Sequence, residues 1–182
     1  LFQFNPLINN CGRVLWLYMN KSPEKQKKIQ ELCLSKNIKI STAESCTGGY
    51  LSKLLTDISG SSKFYVGSII AYSNKVKSDL LNVPSDILDK YGAVSEEVAL
   101  LMAKGIYKSI KSDITISTTG VMEPDASSSA KKPQVFIAIK SEKIEISYHF
   151  YLYGERDANR KKTVDHVLDC LYDFINKHYL VS

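Results

Sequence analysis

The sequence predicts an α/β layered domain built on a mixed sheet, parallel in part and antiparallel at a hairpin. Two patterns carry that prediction. Segments with helical spacing of apolar residues alternate with short β-branched runs along the chain, and two alternating runs late in the sequence face each other across a three-residue turn. A length of 182 residues with 44% hydrophobic content suits a single domain with a sizeable core.

The first eighteen residues, LFQFNPLINNCGRVLWLY, are apolar in patches interrupted by Asn5, Pro6, Asn9, Asn10 and Arg13. No run approaches the roughly 20 residues of a membrane span, and the basic start of a signal peptide is missing. Because the chain opens on Leu1 and Met19 sits just before the first helix signal, residues 1–18 are expected to be a poorly packed N-terminal extension and 19–182 the folded domain. An added strand or helix in 1–18 is the alternative.

Ser22 and Pro23 form a cap and first-turn pair, and Ile29, Leu32 and Cys33 give the following helix its buried stripe. Residues 38–43 read as a strand. Leu51, Leu54, Leu55 and Ile58 fall at i, i+3, i+4 and i+7 and read as a helix. Residues 65–72 are β-branched and apolar enough for a strand, after which Ser73 and Asn74 can cap a short helix over 75–81. Ser85 can cap another that stops at Gly92. Ser95, with Glu96 and Glu97 behind it, starts a longer helix whose Val98, Leu101, Met102 and Ile106 line one face. Ile114, Ile116 and Thr118 alternate as a strand, and 119–132 reads as a Ser- and Lys-rich loop. Val135, Ile137 and Ile139 answer Ile144, Ile146, Tyr148 and Phe150 across 141–143, as a hairpin does. A final helix over 157–178 turns Val164, Val167, Leu168, Leu171 and Ile175 inward.

Cys11, Cys33, Cys46 and Cys170 form no CxxC pair and have no His at zinc-finger spacing, so neither a metal site nor a disulfide framework is expected. Reduced thiols in a cytoplasmic setting are the simplest reading. The formal charge of +5 rests almost wholly on Lys spread over presumed helix surfaces, without the basic and aromatic interleaving of single-strand binders. Neither nucleic acid nor a membrane is expected as a partner, and a homo-oligomer stays open.

In a sheet of this kind, ligands bind at the carboxyl ends of the parallel strands, here the loops 44–49, 73–77 and 119–132. The first contains TAESCTGG, residues 42–49, bridging a strand and a helix whose first backbone N–H groups are expected to be free for an anion or oxyanion. Ser45 and Cys46 are adjacent, so if one faces the cleft the other turns to the core, the usual place of an unreactive Cys. His149, His166 and His178 lie on none of the three loops, so a serine needs another base. A lysine serves if burial lowers its pKa from about 10.4. In SNKVK, Lys75 lies four residues before Asp79 and forms an exposed pair, while Lys77 lies beside Leu80 and Leu81 on the apolar face, as a buried base or as a side chain that only snorkels. Tyr72 can relay or orient a proton, or simply pack. Arg156 and Arg160, four apart in GERDANR, suit a phosphate or carboxylate, or a local ion-pair cluster with Glu155 and Asp157.

TAESCTGG, then GSSKF from Gly60, AYSNKVK from Ala71, YGAVS from Tyr91, STTG from Ser117, KP at Lys132 and GERDANR from Gly154 occur in an order and spacing that resemble the CinA C-terminal domain family, the nicotinamide-nucleotide amidases. The resemblance covers about 19–178. It implies a single-domain, three-layer α/β/α sandwich that hydrolyses the carboxamide of nicotinamide mononucleotide to nicotinic acid mononucleotide and ammonia, recycling the pyridine nucleotide without metal or cofactor. By the same resemblance Ser45 is the nucleophile, Lys77 its base and Tyr72 a neighbour of the pair. Thr47, Gly48, Gly49, Asn74, Thr119, Gly120 and Arg156 are the expected substrate-binding residues, with the amides of residues 47–49 stabilising the oxyanion. The nucleotide-like N-terminal domain of longer members has no counterpart, so its activity is expected to be absent.

The chain departs from the family pattern at three places. The usual GIAGPxGG loop is replaced by GVMEPDAS from Gly120, which puts Glu123 where a glycine stands, and Ser68 and Val135 occupy or adjoin two further glycine positions. These departures motivate the alternative, a catalytically weakened nucleotide-binding or interaction module of the same fold.

Overall fold

The computed structural model describes residues 22–124 and 130–179. The expectation of an extension at 1–18 and the centre of the 119–132 loop therefore lie outside the described residues. Helix α1 (Ser22–Ser35) leads into strand β1 (Ile40–Glu44), α2 (Tyr50–Thr56), a 3-10 turn (Ser61–Lys63) and β2 (Tyr65–Ile70). Helices α3 (Asn74–Leu81), α4 (Ser85–Tyr91) and α5 (Glu96–Ser109) follow, then β3 (Ile114–Val121), β4 (Gln134–Lys140), β5 (Glu145–Tyr151) and α6 (Arg156–Tyr179). No helix among the described residues is long and apolar enough to cross a membrane.

The five strands form one sheet in the order β2-β1-β3-β4-β5. Strand β1 is parallel to β2 and β3, while β3 with β4 and β4 with β5 are antiparallel. Parallel neighbours need crossovers, and the crossover helices cover both faces. On one face, Ile29 and Cys33 of α1, Leu51 and Leu55 of α2, and Val167, Leu168 and Leu171 of α6 pack with Ile40, Ile116 and Ile137 of the sheet. On the other, Leu81, Leu88, Val98, Met102 and Ile106 of α3, α4 and α5 pack with Ala43 and Ala71. The molecule is thus the expected α/β/α sandwich.

Strand β3 alternates because its two faces meet different chemistry. Ile114 and Ile116 join the larger apolar cluster. Thr115 and Ser117 point at α5, where their hydroxyls donate to the carbonyls of Ala103 (3.0 Å) and Ala99 (2.6 Å). Small residues on α5 let it lie this close to the sheet, and Ala99, Ala103 and Ala138 form their own buried cluster.

Several element boundaries differ from the sequence expectation. Strand β1 is Ile40–Glu44, so Glu44 is its last residue, and β2 ends at Ile70, which leaves Tyr72 in the loop. Residues 119–121 are not loop: Thr119 pairs with Phe136, Gly120 with Val135 and Val121 with Gln134. Hydrogen bonding to β4 here outweighs the turn-like composition. Pro84, not Ser85, stands at the N-cap of α4.

Where α5 crosses the end of α3, a Cβ at Gly105 would lie 2.0 Å from the Leu81 carbonyl oxygen. Neither backbone can retreat without opening the cluster around Leu81, Met102 and Ile106. Gly105→Ala is therefore expected to destabilise the fold by at least about 2 kcal/mol, although alanine is the better helix former. A denaturant titration checks it, and a midpoint equal to that of the parent would contradict this crossing.

Candidate active site

The site begins with the end of β1. Ser45 N–H donates to Thr118 O (2.9 Å) and Ala71 N–H to Glu44 O (2.7 Å), so the last strand residue is held from both sides. The chain then turns into α2 through Gly48 and Gly49, at φ +59° and +93°, a region open to glycine at little steric cost. Gly49 offers no side chain to cap α2. That role falls to Glu44, fully buried, whose Oε2 accepts from the amides of Gly49 (2.9 Å) and Leu51 (3.2 Å). Its Oε1 accepts from the Ser52 amide (2.8 Å) and the Ser52 hydroxyl.

This corrects the expectation of free amides at the helix start. Gly49 N–H is taken by Glu44, Gly48 N–H by Ser45 O (3.1 Å) and Tyr50 N–H by Thr47 O (3.1 Å). Among the described residues, the amides of Cys46 and Thr47 are the donors of this turn that meet no backbone carbonyl, and the Cys46 amide faces its own thiol. Sequence reasoning missed Glu44. A carboxylate just before a glycine-rich helix start is the available signal, since acidic groups are favoured at helix N-termini.

Lys77 is brought to Ser45 by α3. The Ser73 hydroxyl accepts the Val76 amide (3.3 Å) and caps the helix, and Lys77 then points under its first turn, 1% exposed. Its Nζ lies 3.0 Å from Ser45 Oγ, 3.0 Å from Ala71 O and 3.4 Å from Tyr72 O. Burial pushes the Lys77 pKa down, with the Cys46 thiol acting weakly the other way. Two carbonyls and the Ser45 hydroxyl surround the amine: with the proton on lysine all three accept, and with the amine neutral the hydroxyl can turn and donate to its lone pair. Lys77 is therefore buried at the serine and does not snorkel. Lys75 forms the expected exposed pair with Asp79 at 2.6 Å.

Cys46 turns the opposite way from Ser45, into the larger core cluster, and burial pushes its thiol up to about 12. It is a packing residue. Cys33 and Cys170 are also buried free thiols raised to about 12.

The other expected site residues divide into two sets. At the mouth, Tyr72 is 59% exposed, and its hydroxyl accepts from Arg156 Nη2 at 2.7 Å. Ser45, Lys77, Tyr72 and Arg156 thus form one connected series, in which Lys77 reaches Ser45 directly and the Tyr72 hydroxyl does not stand between them. Asn74 is exposed at the first turn of α3, and Gly48 is exposed with open space where a Cβ would stand. Asp157 pairs with Lys161 at 2.7 Å and also feels the Arg160 charge, whereas Arg156 bonds Tyr72.

The second set is structural. Thr47 is buried with its hydroxyl 2.8 Å from that of Thr118, so only its amide is left for a ligand. Thr119 sends its hydroxyl to Ala93 O (2.6 Å). A Cβ at Gly120 would stand 2.4 Å from Gln134 O, so glycine there is required by the β3–β4 pairing. The side chains of Thr47 and Thr119 are thus turned away from a ligand. A cavity lined by Lys39, Tyr107, Lys111, Ser112 and Asp113 lies at the opposite, amino-terminal end of the strands, remote from this chemistry.

A family model described as the CinA C-terminal domain matches residues 23–175. A Bacillus subtilis protein described as competence-damage inducible is 41% identical over 156 residues, covering 86% of this chain and 37% of the relative. A CinA-like protein of Cytophaga hutchinsonii is 39% identical over 142 residues, covering 78% of this chain and 34% of the relative. The chain spans about two fifths of the length of the curated relatives it matches. Among solved structures, a competence/damage inducible protein of Agrobacterium tumefaciens superposes with a TM-score of 0.78 at 32% identity, covering 84% of this chain and 94% of that one. A competence damage-inducible protein of Klebsiella pneumoniae gives a TM-score of 0.83 at 25% identity, covering 88% and 99%. By sequence and by fold, the chain belongs to the CinA C-terminal domain family.

Proposed function

We propose that this domain hydrolyses the carboxamide of nicotinamide mononucleotide to nicotinic acid mononucleotide and ammonia, with Ser45 as nucleophile and Lys77 as base. The observation that carries the reading is the buried 3.0 Å contact between Lys77 Nζ and Ser45 Oγ, with two carbonyls on the remaining side of the amine.

Neutral Lys77 takes the Ser45 proton as Oγ attacks the carboxamide carbon, forming the tetrahedral intermediate. The oxyanion is received by the amides of Cys46 and Thr47, the first of which directly follows the nucleophile, as in other serine hydrolases. The C–N bond breaks as the leaving nitrogen takes the proton from Lys77, and ammonia departs. Lys77 next takes a proton from water, the resulting hydroxide attacks the Ser45 ester, and the carboxylic acid leaves as Ser45 regains its proton. Arg156, held by Tyr72 at the rim, supplies a cation for the phosphate.

Three outcomes are expected. Purified protein releases ammonia from nicotinamide mononucleotide, and Ser45→Ala and Lys77→Ala each lower kcat at least about 1,000-fold while folding normally. Turnover surviving in Ser45→Ala would overturn the scheme, and binding without release by the parent would favour the weakened module. Because Lys77 must be unprotonated and burial lowers its pKa, activity is absent below that pKa and rises as pH passes through it. The inflection therefore lies below the ordinary lysine value of about 10.4, and a pH–rate profile of kcat/KM reads it. Arg156→Ala and Tyr72→Phe are expected to raise KM by about 10-fold or more with kcat changed far less, since neither group touches the Ser45–Lys77 pair; steady-state kinetics separates the two constants.

A further inference from the structure

Among the described residues, the side chain of Glu44 is the buried carboxylate immediately beside the nucleophile, and the scheme above gives it no part. Four donors converge on it: three amides from the first turns of α2 and the Ser52 hydroxyl. Ser52 continues the arrangement into a hydroxyl network, since it receives the Tyr65 hydroxyl at 2.8 Å, and Tyr65 lies 2.7 Å from Thr42 Oγ1. Ser68 adds a further hydroxyl at 3.0 Å from Thr42 Oγ1. The backbone of the same Glu44 is held on β1 by Ala71, whose carbonyl in turn receives Lys77.

We propose that Glu44 is a positioning residue for the reaction. By gathering the amides that start α2 it fixes the turn at residues 45–48, so that Ser45 Oγ stays within reach of Lys77 and the amides of Cys46 and Thr47 remain the donors for the oxyanion. The inference rests on the proposed hydrolase reading. Its chemistry is specific to a carboxylate, which only accepts hydrogen bonds and has two oxygens to divide among the four donors. A glutamine has one such oxygen, and its NH2 would face two amide donors at the Oε2 position, or the Ser52 amide at the Oε1 position with the Ser52 hydroxyl forced to turn. One half of the turn would be left unmatched, next to the nucleophile.

The test is Glu44→Gln, compared with the parent for ammonia release from nicotinamide mononucleotide and by crystal structure. The expected result is a folded protein whose kcat falls by about 100-fold, the size of effect associated with a misplacement of about 1 Å, while KM stays within about twofold. The structure is expected to show Lys77 Nζ and Ser45 Oγ drawn apart from 3.0 Å. A folded Glu44→Gln with parental kcat, or with the contact unmoved, overturns the proposal. If Glu44→Gln does not fold, Ser52→Ala removes one of the four donors and keeps the carboxylate. A kcat about 10-fold lower at unchanged KM then supports positioning, and a parental kcat overturns it. If the parent itself releases no ammonia, the hydrolase reading fails. The distance between Lys77 and Ser45 in the variant still decides whether Glu44 holds the pair.

Discussion

A lysine amine shut away from water sets the terms for the surrounding structure. Burial disfavours the ammonium form, and in either protonation state the N–H groups of the amine need carbonyl acceptors in the interior. Ala71 and Tyr72 supply those carbonyls because β2 stops at Ile70 and the chain must turn there before α3 begins. Ala71 is itself tied by its amide to Glu44 on β1, so the carbonyl that receives Lys77 is held by the same strand end that carries Ser45. The dyad is therefore a consequence of where two parallel strands end. It depends on the sheet more than on either loop alone.

Glu44 and Ser45 divide the space beyond β1 between them. The carboxylate turns toward α2 and uses up the donors of its first turns, while the hydroxyl turns toward α3 and meets the amine. With that helix start closed to outside anions, the phosphate of the proposed substrate would need its counter-charge elsewhere. Arg156, at the start of α6 and joined to Tyr72, is the cation at the mouth to which the proposed function gives that part.

The pair at the centre was legible only in part from local signals. Ser45 and Cys46 are neighbours, so a turn that offers one must bury the other, but the spacing of Lys77 left snorkelling open and the family resemblance singled it out; in the structure Lys77 shares the inner side of α3 with Leu81, while Leu80 is 52% exposed. The alternating strand at Ile114 and Ile116 was legible too, but its polar positions were easy to misassign to a solvent-facing side. Thr115, Ser117 and Thr119 are fully or nearly fully buried, and their hydroxyls are satisfied by carbonyls of α5 and of the loop before it. Partners 12 to 26 residues away decide that, and no short window contains them. The same limit explains Gly120, whose absent side chain answers to Gln134 across the sheet, and Glu44, whose acceptor role depends on how the turn folds back over it.

Long-range packing also bears on the positions where this chain departs from the family's glycines. Ser68 is absorbed by the hydroxyl network, where it donates to Thr42 O at 3.0 Å, and Val135 is fully buried in the larger core cluster. Both replacements serve the interior and leave the Ser45–Lys77 pair untouched, so they lend no weight to a weakened site. Glu123 differs, since it is exposed and brings a negative charge. Its effect is bounded by solvent screening: in water, even a carboxylate 4 Å from a phosphate oxygen costs on the order of 1 kcal/mol, or about fivefold in affinity. A penalty of that size belongs to substrate binding. Ser45 and Lys77 form a buried pair that Glu123 does not touch, so under the proposed function the change at that loop would bear on how tightly substrate is held and would leave the pair as it is.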